Sequence, residues 1–207
     1  RSFLTLRDGT KVWINSGTEV RFPVNMEGKE RSIYVDGEIY IEVAKDKERP
    51  FYVHTSGFDV RVYGTKFNVT SYKADKEKSV VLVEGSVSVC SKEETKEKEA
   101  KEIFLHPDQM YHTTNRGPMI THVNALQYIT WKDGIWQFTS ESLESIALRL
   151  SRYYGVDIHC DEKTAVKSCT GKLILFDDVD KTLRIIEEIF GVRYETNQNE
   201  IIISMNP

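Results

Sequence analysis

The sequence is poor in the residues that announce special chemistry. Its 207 residues include three cysteines, five prolines and twelve glycines. Cys90, Cys160 and Cys169 form no C-x-x-C pair, which excludes zinc-ribbon and thioredoxin-like readings. An odd number of thiols is no disulfide framework. Cys160 and Cys169, flanking a turn, can face each other as a disulfide, or all three can be small buried hydrophobes. Little Pro and Gly, with 40% hydrophobic and 29% charged residues, exclude collagen-like and disordered chains. No apolar run approaches the roughly 20 residues that cross a bilayer, so the expectation is a soluble chain. It opens at Arg1-Ser2-Phe3 with neither an initiator Met nor a signal peptide. Phe3-Leu4-Thr5-Leu6 already reads as a strand, so we expect a portion of a longer protein, separated from any targeting or membrane segment.

A basic excess is also missing. There are 28 Lys and Arg against 32 Asp and Glu, a net charge of −4. Phosphate neutralisation supplies most of the affinity for nucleic acid, so nucleic-acid binding is not expected. The balance is uneven: residues 1–130 hold 19 basic and 19 acidic side chains, and residues 131–207 hold 9 and 13.

Catalytic and cofactor signatures are missing too. There is no G-x-S-x-G, H-E-x-x-H, G-x-G-x-x-G, P-loop or EF-hand loop. No standard enzyme, cofactor or metal site is therefore expected, and a hydrolase with an unfamiliar site would need a deep pocket gathering His106, His112 and His122 with a carboxylate. His106, His112 and His122 lie on successive strand-like segments and would make a metal site only if they converge; otherwise they are ordinary strand histidines. Acids at Asp177-Asp178 suit a helix start, and Asp161-Glu162 sits in a turn. Trp13, Trp131 and Trp136 read as packing residues, or alternatively as a sugar-stacking platform.

What is present is β pattern. Residues 1–125 alternate apolar and polar in Lys11-Val12-Trp13-Ile14, Ser32-Ile33-Tyr34-Val35, Glu38-Ile39-Tyr40-Ile41-Glu42-Val43, Asp59-Val60-Arg61-Val62-Tyr63, Lys66-Phe67-Asn68-Val69 and Ser86-Val87-Ser88-Val89. β-branched and aromatic residues suit a half-buried pleated surface. Asp8-Gly9, Asp36-Gly37, Ser56-Gly57, Gly64 and Glu84-Gly85 punctuate them as turns. The expectation is an all-β domain over 1–125, closed as a two-sheet sandwich or a short β-solenoid. Residues 91–102 (SKEETKEKEAKE) interrupt it with a charged stretch, a solvated hairpin loop or an electrostatic docking tail. Residues 116–134 form the junction, with a turn at Arg116-Gly117-Pro118.

From Ile135 the apolar period changes from 2 to 3.6. Leu143, Ile146, Ala147, Leu150 and Tyr154 share one helical face, with an N-cap within Ser140–Ser142 and Gly155 as the stop. The unit recurs 36 residues later: Leu143 maps to Val179, Ala147 to Leu183, Leu150 to Ile186, Tyr154 to Phe190 and Gly155 to Gly191. Residues 126–207 are therefore expected to be two βαβ half-units sharing one core and closed by a last strand. The fold class is α+β. If Glu200, Ile201, Ile202, Ile203 and Ser204 form an edge strand, they can take up a partner strand, which makes them the candidate partner-binding residues. The competing reading pairs them with Val192–Thr196 across the turn at Asn197-Gln198-Asn199.

One ordered set of motifs carries a resemblance. Leu6-Arg7-Asp8-Gly9-Thr10-Lys11-Val12-Trp13-Ile14-Asn15 resembles the L-x-D-G-T-x-V-x-L-N opening of FecR-type regulators, with Ile at the second Leu. Val35-Asp36-Gly37-Glu38-Ile39-Tyr40-Ile41-Glu42-Val43, Arg49-Pro50-Phe51-Tyr52-Val53-His54-Thr55, Val62-Tyr63-Gly64-Thr65-Lys66-Phe67-Asn68-Val69 and Val81-Leu82-Val83-Glu84-Gly85-Ser86-Val87 follow in the family's order. Trp131-Lys132-Asp133-Gly134 and the repeat after it resemble the second domain of the Bacteroidetes branch, and that domain resembles the secretin/TonB short N-terminal fold. The resemblance implies a transmembrane anti-sigma factor with no enzyme activity. Its periplasmic region would bind the signalling domain of an outer-membrane TonB-dependent transporter. An extracytoplasmic-function sigma factor would bind a cytoplasmic segment outside this sequence, and one helix, also outside it, would cross the inner membrane. A glycan-binding or adhesive β-module is the alternative; exposed aromatic clusters would favour it and buried tryptophans would count against it.

Overall fold

The computed structural model describes residues 2–92, 102–114, 117–197 and 200–206. The charged stretch at 93–101 and parts of the expected turns at 116 and 198–199 lie outside the described residues. The chain divides into two compact units, Arg1–Lys132 and Asp133–Pro207.

The first unit is built from strands. They are β1 (Ser2–Thr5), β2 (Lys11–Ile14), β3 (Glu19–Arg21), β4 (Arg31–Glu42), β5 (Phe51–His54) and β6 (Phe58–Val62), then β7 (Lys66–Ser71), β8 (Ser79–Glu84), β9 (Val87–Ser91), β10 (Glu102–Leu105), β11 (Gln109–His112) and β12 (Met119–His122). The strands join in the order β10-β9-β6-β5-β4-β7-β8-β11-β12, with β1-β2 and β3 attached to β4. Turns fall at Asp8-Gly9, where Gly9 N–H donates to Leu6 O (3.0 Å), and around Ser56-Gly57, where Thr55 N–H donates to Phe58 O (3.1 Å).

Asp36-Gly37 departs from expectation. It is no turn: β4 runs straight through it. Residues 31–36 pair with β3 and β5, and residues 37–42 pair with β2 and β7. Gly37 marks the hand-over, at φ 137°. A Cβ there would come 2.3 Å from Thr18 Oγ1, and that hydroxyl accepts from Glu38 N–H at 2.9 Å. Glycine is required both by its backbone and by the close approach of Thr18. The sheet curls about this strand. Ile33, Ile39, Phe51, Val60, Phe67 and Leu82, all fully buried, face one shared core.

One buried ion pair ties the start of this unit together. Arg31 is 1% exposed. Its Nη1 donates to Asp8 Oδ2 (2.8 Å) and Ala44 O (2.9 Å), and its Nη2 donates to Arg49 O (2.9 Å). Asp8 also accepts from Thr10 N–H (3.0 Å) and Thr10 Oγ1 (2.8 Å), and Thr10 Oγ1 accepts from Ala44 N–H (3.1 Å). The Asp-Gly-Thr motif is therefore a structural clamp that joins the β1–β2 turn, the first residue of β4 and the loop after β4.

The second unit follows the repeat. Its elements are β13 (Ile135–Ser142), α1 (Leu143–Tyr154), β14 (Asp157–Cys160), α2 (Glu162–Ala165), β15 (Ser168–Ile174), α3 (Val179–Phe190), β16 (Val192–Asn197) and β17 (Glu200–Met205). Ser142 caps α1 by accepting from Ser145 N–H, and Asp178 caps α3 by accepting from Asp180 N–H. Gly155 (φ 68°) and Gly191 (φ 61°) close the two helices in the left-handed conformation. Leu143, Ile146, Leu150, Leu183 and Ile186 turn inward with Trp136, Phe138, Ile201 and Ile203. The short helix α2 replaces an expected turn; Asp161 caps it through Thr164 N–H at 2.7 Å. The first strands of the half-units, β13 and β15, pair antiparallel, while the second strands, β14 and β16, flank β17.

Removing Asp8 leaves the Arg31 guanidinium buried without its counter-charge. Asp8→Ala should lower unfolding free energy by about 3–5 kcal/mol, read by urea denaturation. At Gly191 no neighbour lies within 4 Å of an added Cβ. Gly191→Ala should therefore cost only the left-handed backbone penalty, about 1–2 kcal/mol, seen as a lowered Tm.

Candidate partner-binding surface

His106, His112 and His122 form no metal-binding cluster among the described residues. His112 pairs with Met119 and His122 with Gln109, at opposite ends of the β11–β12 hairpin. Among the described residues no group of three His, Cys, Asp or Glu side chains is arranged to hold a metal. An open depression of about 780 Å³ lies beside the end of α1, lined by Ser151, Arg152, Asp157 and Glu200 among others. Its lining is shallow and mixes these charged and polar groups with Val156, unlike the enclosed, mostly apolar wall of a small-molecule pocket.

The cysteines and tryptophans have structural places. Cys90, Cys160 and Cys169 are free thiols, so the Cys160–Cys169 bridge is not made. Burial, with the charges of Asp161 and Glu144, pushes the Cys160 thiol up to about 11. It stays protonated at neutral pH, and alkylation at pH 8 should be slow, by mass spectrometry, until the unit is unfolded. Trp131 and Trp136 are 4% and 3% exposed, which counts against a sugar-stacking platform, whereas Trp13 is half-buried between Phe3 and Tyr40. Trp131 Nε1 donates to Asn68 Oδ1 (3.1 Å), Asn68 Nδ2 donates to Glu38 Oε1 (3.0 Å), and Asn15 Nδ2 donates to Glu38 Oε2 (2.7 Å). This chain of bonds fastens the segment before Asp133 to β4 and β7.

The expected edge at Glu200–Ser204 is corrected. β17 is a central strand: β14 pairs with it in parallel on one side and β16 antiparallel on the other. Ile201 and Ile203 are buried in the core of the unit. The main chain from Glu200 to Ser204 has no free side for a partner strand. The sequence reading weighed β17 against the hairpin partner β16 alone and missed β14, which arrives from 40 residues upstream.

The outer margins of this three-stranded sheet carry guards at one repeat position. On β14, Ser151 Oγ accepts from Ile158 N–H (2.9 Å) and lies within 3.1 Å of Ile158 O. On β16, Glu187 Oε1 accepts from Tyr194 N–H (3.2 Å). Ser151 and Glu187 are 36 residues apart, as are Ile158 and Tyr194. Each half-unit thus uses the last turn of its helix to occupy the outward donor of its own second strand. The repeat made these equivalences legible, although neither guard was singled out from the sequence.

The β13–β15 ribbon is different. Leu175 N–H donates to Gly134 O at 3.0 Å, which fixes the alternation: Leu173 and Gly171 face β13, whereas Lys172 and Ile174 direct their main-chain groups away from it. No described residue hydrogen-bonds to those groups. β15 is largely exposed, with Ile174 at 55%. β13 is bulged between Phe138 and Glu141, where Ser140 has φ 50° and Ser140 N–H donates to Thr170 Oγ1. Arg149 anchors this bulged end to α1. Its guanidinium lies 3.8 Å from the Trp136 ring centroid and pairs with Glu141 at 3.2 Å.

The first unit, a curled β-sheet, and the second, a small α/β repeat, each match a model of one family. The family model described as FecR protein matches residues 1–88, and that described as FecR, C-terminal, matches residues 135–203. The chain belongs to the FecR family. Two crystal structures of a candidate anti-sigma factor from Parabacteroides distasonis ATCC 8503 are similar to it. Each has 26% sequence identity and aligns with all of this chain, covering 95% and 94% of the other, at TM-scores of 0.87 and 0.85. No curated protein matches the chain. Among the described residues no helix is long and apolar enough to cross a membrane.

Ile202→Pro places a residue without an N–H in a strand bonded on both sides. It should unfold the second unit rather than selectively remove binding, read as loss of near-ultraviolet circular dichroism. Trp131→Phe should cost about 1–3 kcal/mol by leaving Asn68 Oδ1 without its donor, measured by chemical denaturation.

Proposed function

We propose that this chain is the periplasmic signal-receiving region of a transmembrane anti-sigma factor. Its second unit binds the signalling domain of an outer-membrane TonB-dependent transporter, and the state of that complex controls an extracytoplasmic-function sigma factor bound to a cytoplasmic segment. The observation that carries this reading is the order of the two family matches, 1–88 and then 135–203, in a chain whose whole length aligns with a candidate anti-sigma factor.

The division of labour follows the two domains, 1–125 and 126–207, with their functional boundary inside the junction at 116–134. The β domain is the rigid mount, clamped by Asp8 and Arg31. The α/β domain, which we read as a variant of the secretin/TonB short N-terminal fold, is the receiver. No step requires catalysis, and we read the protein as non-enzymatic. Partner contact at Glu200–Ser204, if made, runs through side chains on the face of the sheet, since the main chain of β17 is occupied.

Calorimetry with the purified signalling domain of a TonB-dependent transporter from the same genome tests the reading. The expected result is a 1:1 complex formed by the second unit. Absence of heat and of co-elution under all salt conditions would overturn it. The glycan-binding alternative predicts retention on glycan arrays, which the buried Trp131 and Trp136 disfavour.

A further inference from the structure

We infer that the exposed edge of β15, at Lys172 and Ile174, is where the second unit takes up an extended strand of its partner. This rests on the signalling role proposed above and assigns the place and manner of contact. A two-stranded ribbon is one strand short of independent stability. Edge strands in native proteins are usually protected by proline, bulges, buried charge or a covering side chain. In this unit the protection is uneven. Ser151 occupies the outward donor of β14 at Ile158, and Glu187 that of β16 at Tyr194, while Thr196 keeps an outward N–H. On β13 the bulge at Ser140 limits the run of outward groups to Ile135 and Gln137. β15 has no proline and no bulge of its own, and no described residue bonds to its outward main chain at Lys172 and Ile174.

The side chains of β15 describe the strand that fits. Thr170, Lys172 and Ile174 are exposed on one face, and Ile174 and Lys172 stand beside Ile135 and Gln137 of β13. A third strand would continue these rows. It would set an apolar side chain against Ile174 and a carboxylate within reach of Lys172. Such pairs add modestly to the main-chain bonds that carry the affinity.

Proline at 172 removes an outward N–H and leaves the ladder to β13 intact, a substitution that edge strands tolerate. Lys172→Pro should keep the wild-type Tm and weaken binding of the transporter's signalling domain at least tenfold by calorimetry. Ile174→Lys, a change at an exposed side chain, should weaken it in the same direction without touching the main chain. Thr196→Pro, on the outward side of β16, should bind as wild type. Hydrogen exchange should show the Lys172 and Ile174 amides protected only in the complex. Wild-type affinity in Lys172→Pro, or unprotected amides in a formed complex, would overturn the edge assignment while leaving the signalling role standing. Failure of the wild-type chain to bind at all would remove that role and the edge assignment together. A homodimer in sedimentation that Lys172→Pro abolishes would give the edge to a second copy and overturn the assignment to a partner.

Discussion

The first unit depends on keeping one positive charge out of water. A guanidinium at 1% exposure is tolerable only because every side of it is answered: a carboxylate, two carbonyls and the ring of Phe51, 5.4 Å away. Such a pair adds little net stability over an apolar replacement, but it is strict about geometry. Asp8 has to be where the Asp-Gly-Thr turn puts it, Ala44 where β4 ends, and Arg49 where the following loop returns. The ion pair converts a short sequence motif into a constraint on three distant pieces of chain.

From that fixed start β4 does the organising. It is long enough to belong to both parts of the curled sheet, and Gly37 lets it change neighbours without ending. The outward face of its second half then serves a different purpose. Glu38 gathers Asn15 and Asn68, and Asn68 receives Trp131. Residues of the family-like motifs thus hold the segment that leads to the second unit. In a protein whose proposed task is to relay an event from one domain onward, a firm mount for the connecting segment is what the first domain contributes.

Local patterns were legible in the sequence, and distant pairings were not. The helix limits at Leu143–Tyr154 and Val179–Phe190 followed from apolar spacing, caps and glycine stops, all of which act within a few residues. The Asp8-Gly9 turn was readable for the same reason. Asp36-Gly37 looked identical, yet its role was set by Thr18, from another part of the chain. Arg31 carried no local mark of burial, since a charged residue at the start of an alternating run reads as solvent-facing until its acceptors are assembled by the fold. β17 was misread because its apolar alternation describes a strand without saying how many neighbours it has. The candidate site moved accordingly, from Glu200–Ser204 to β15, whose mixed Ser-Cys-Thr-Gly-Lys run gave no strong strand signal.

The paired guards at Ser151 and Glu187 also bear on stoichiometry. A sheet that leaves both margins available can template one copy after another and grow into a filament. Here each margin of the three-stranded sheet has one outward donor taken by the same device, used once in each half of the duplicated unit. The duplicated guard thus works against edge-to-edge growth of the second unit into longer sheets.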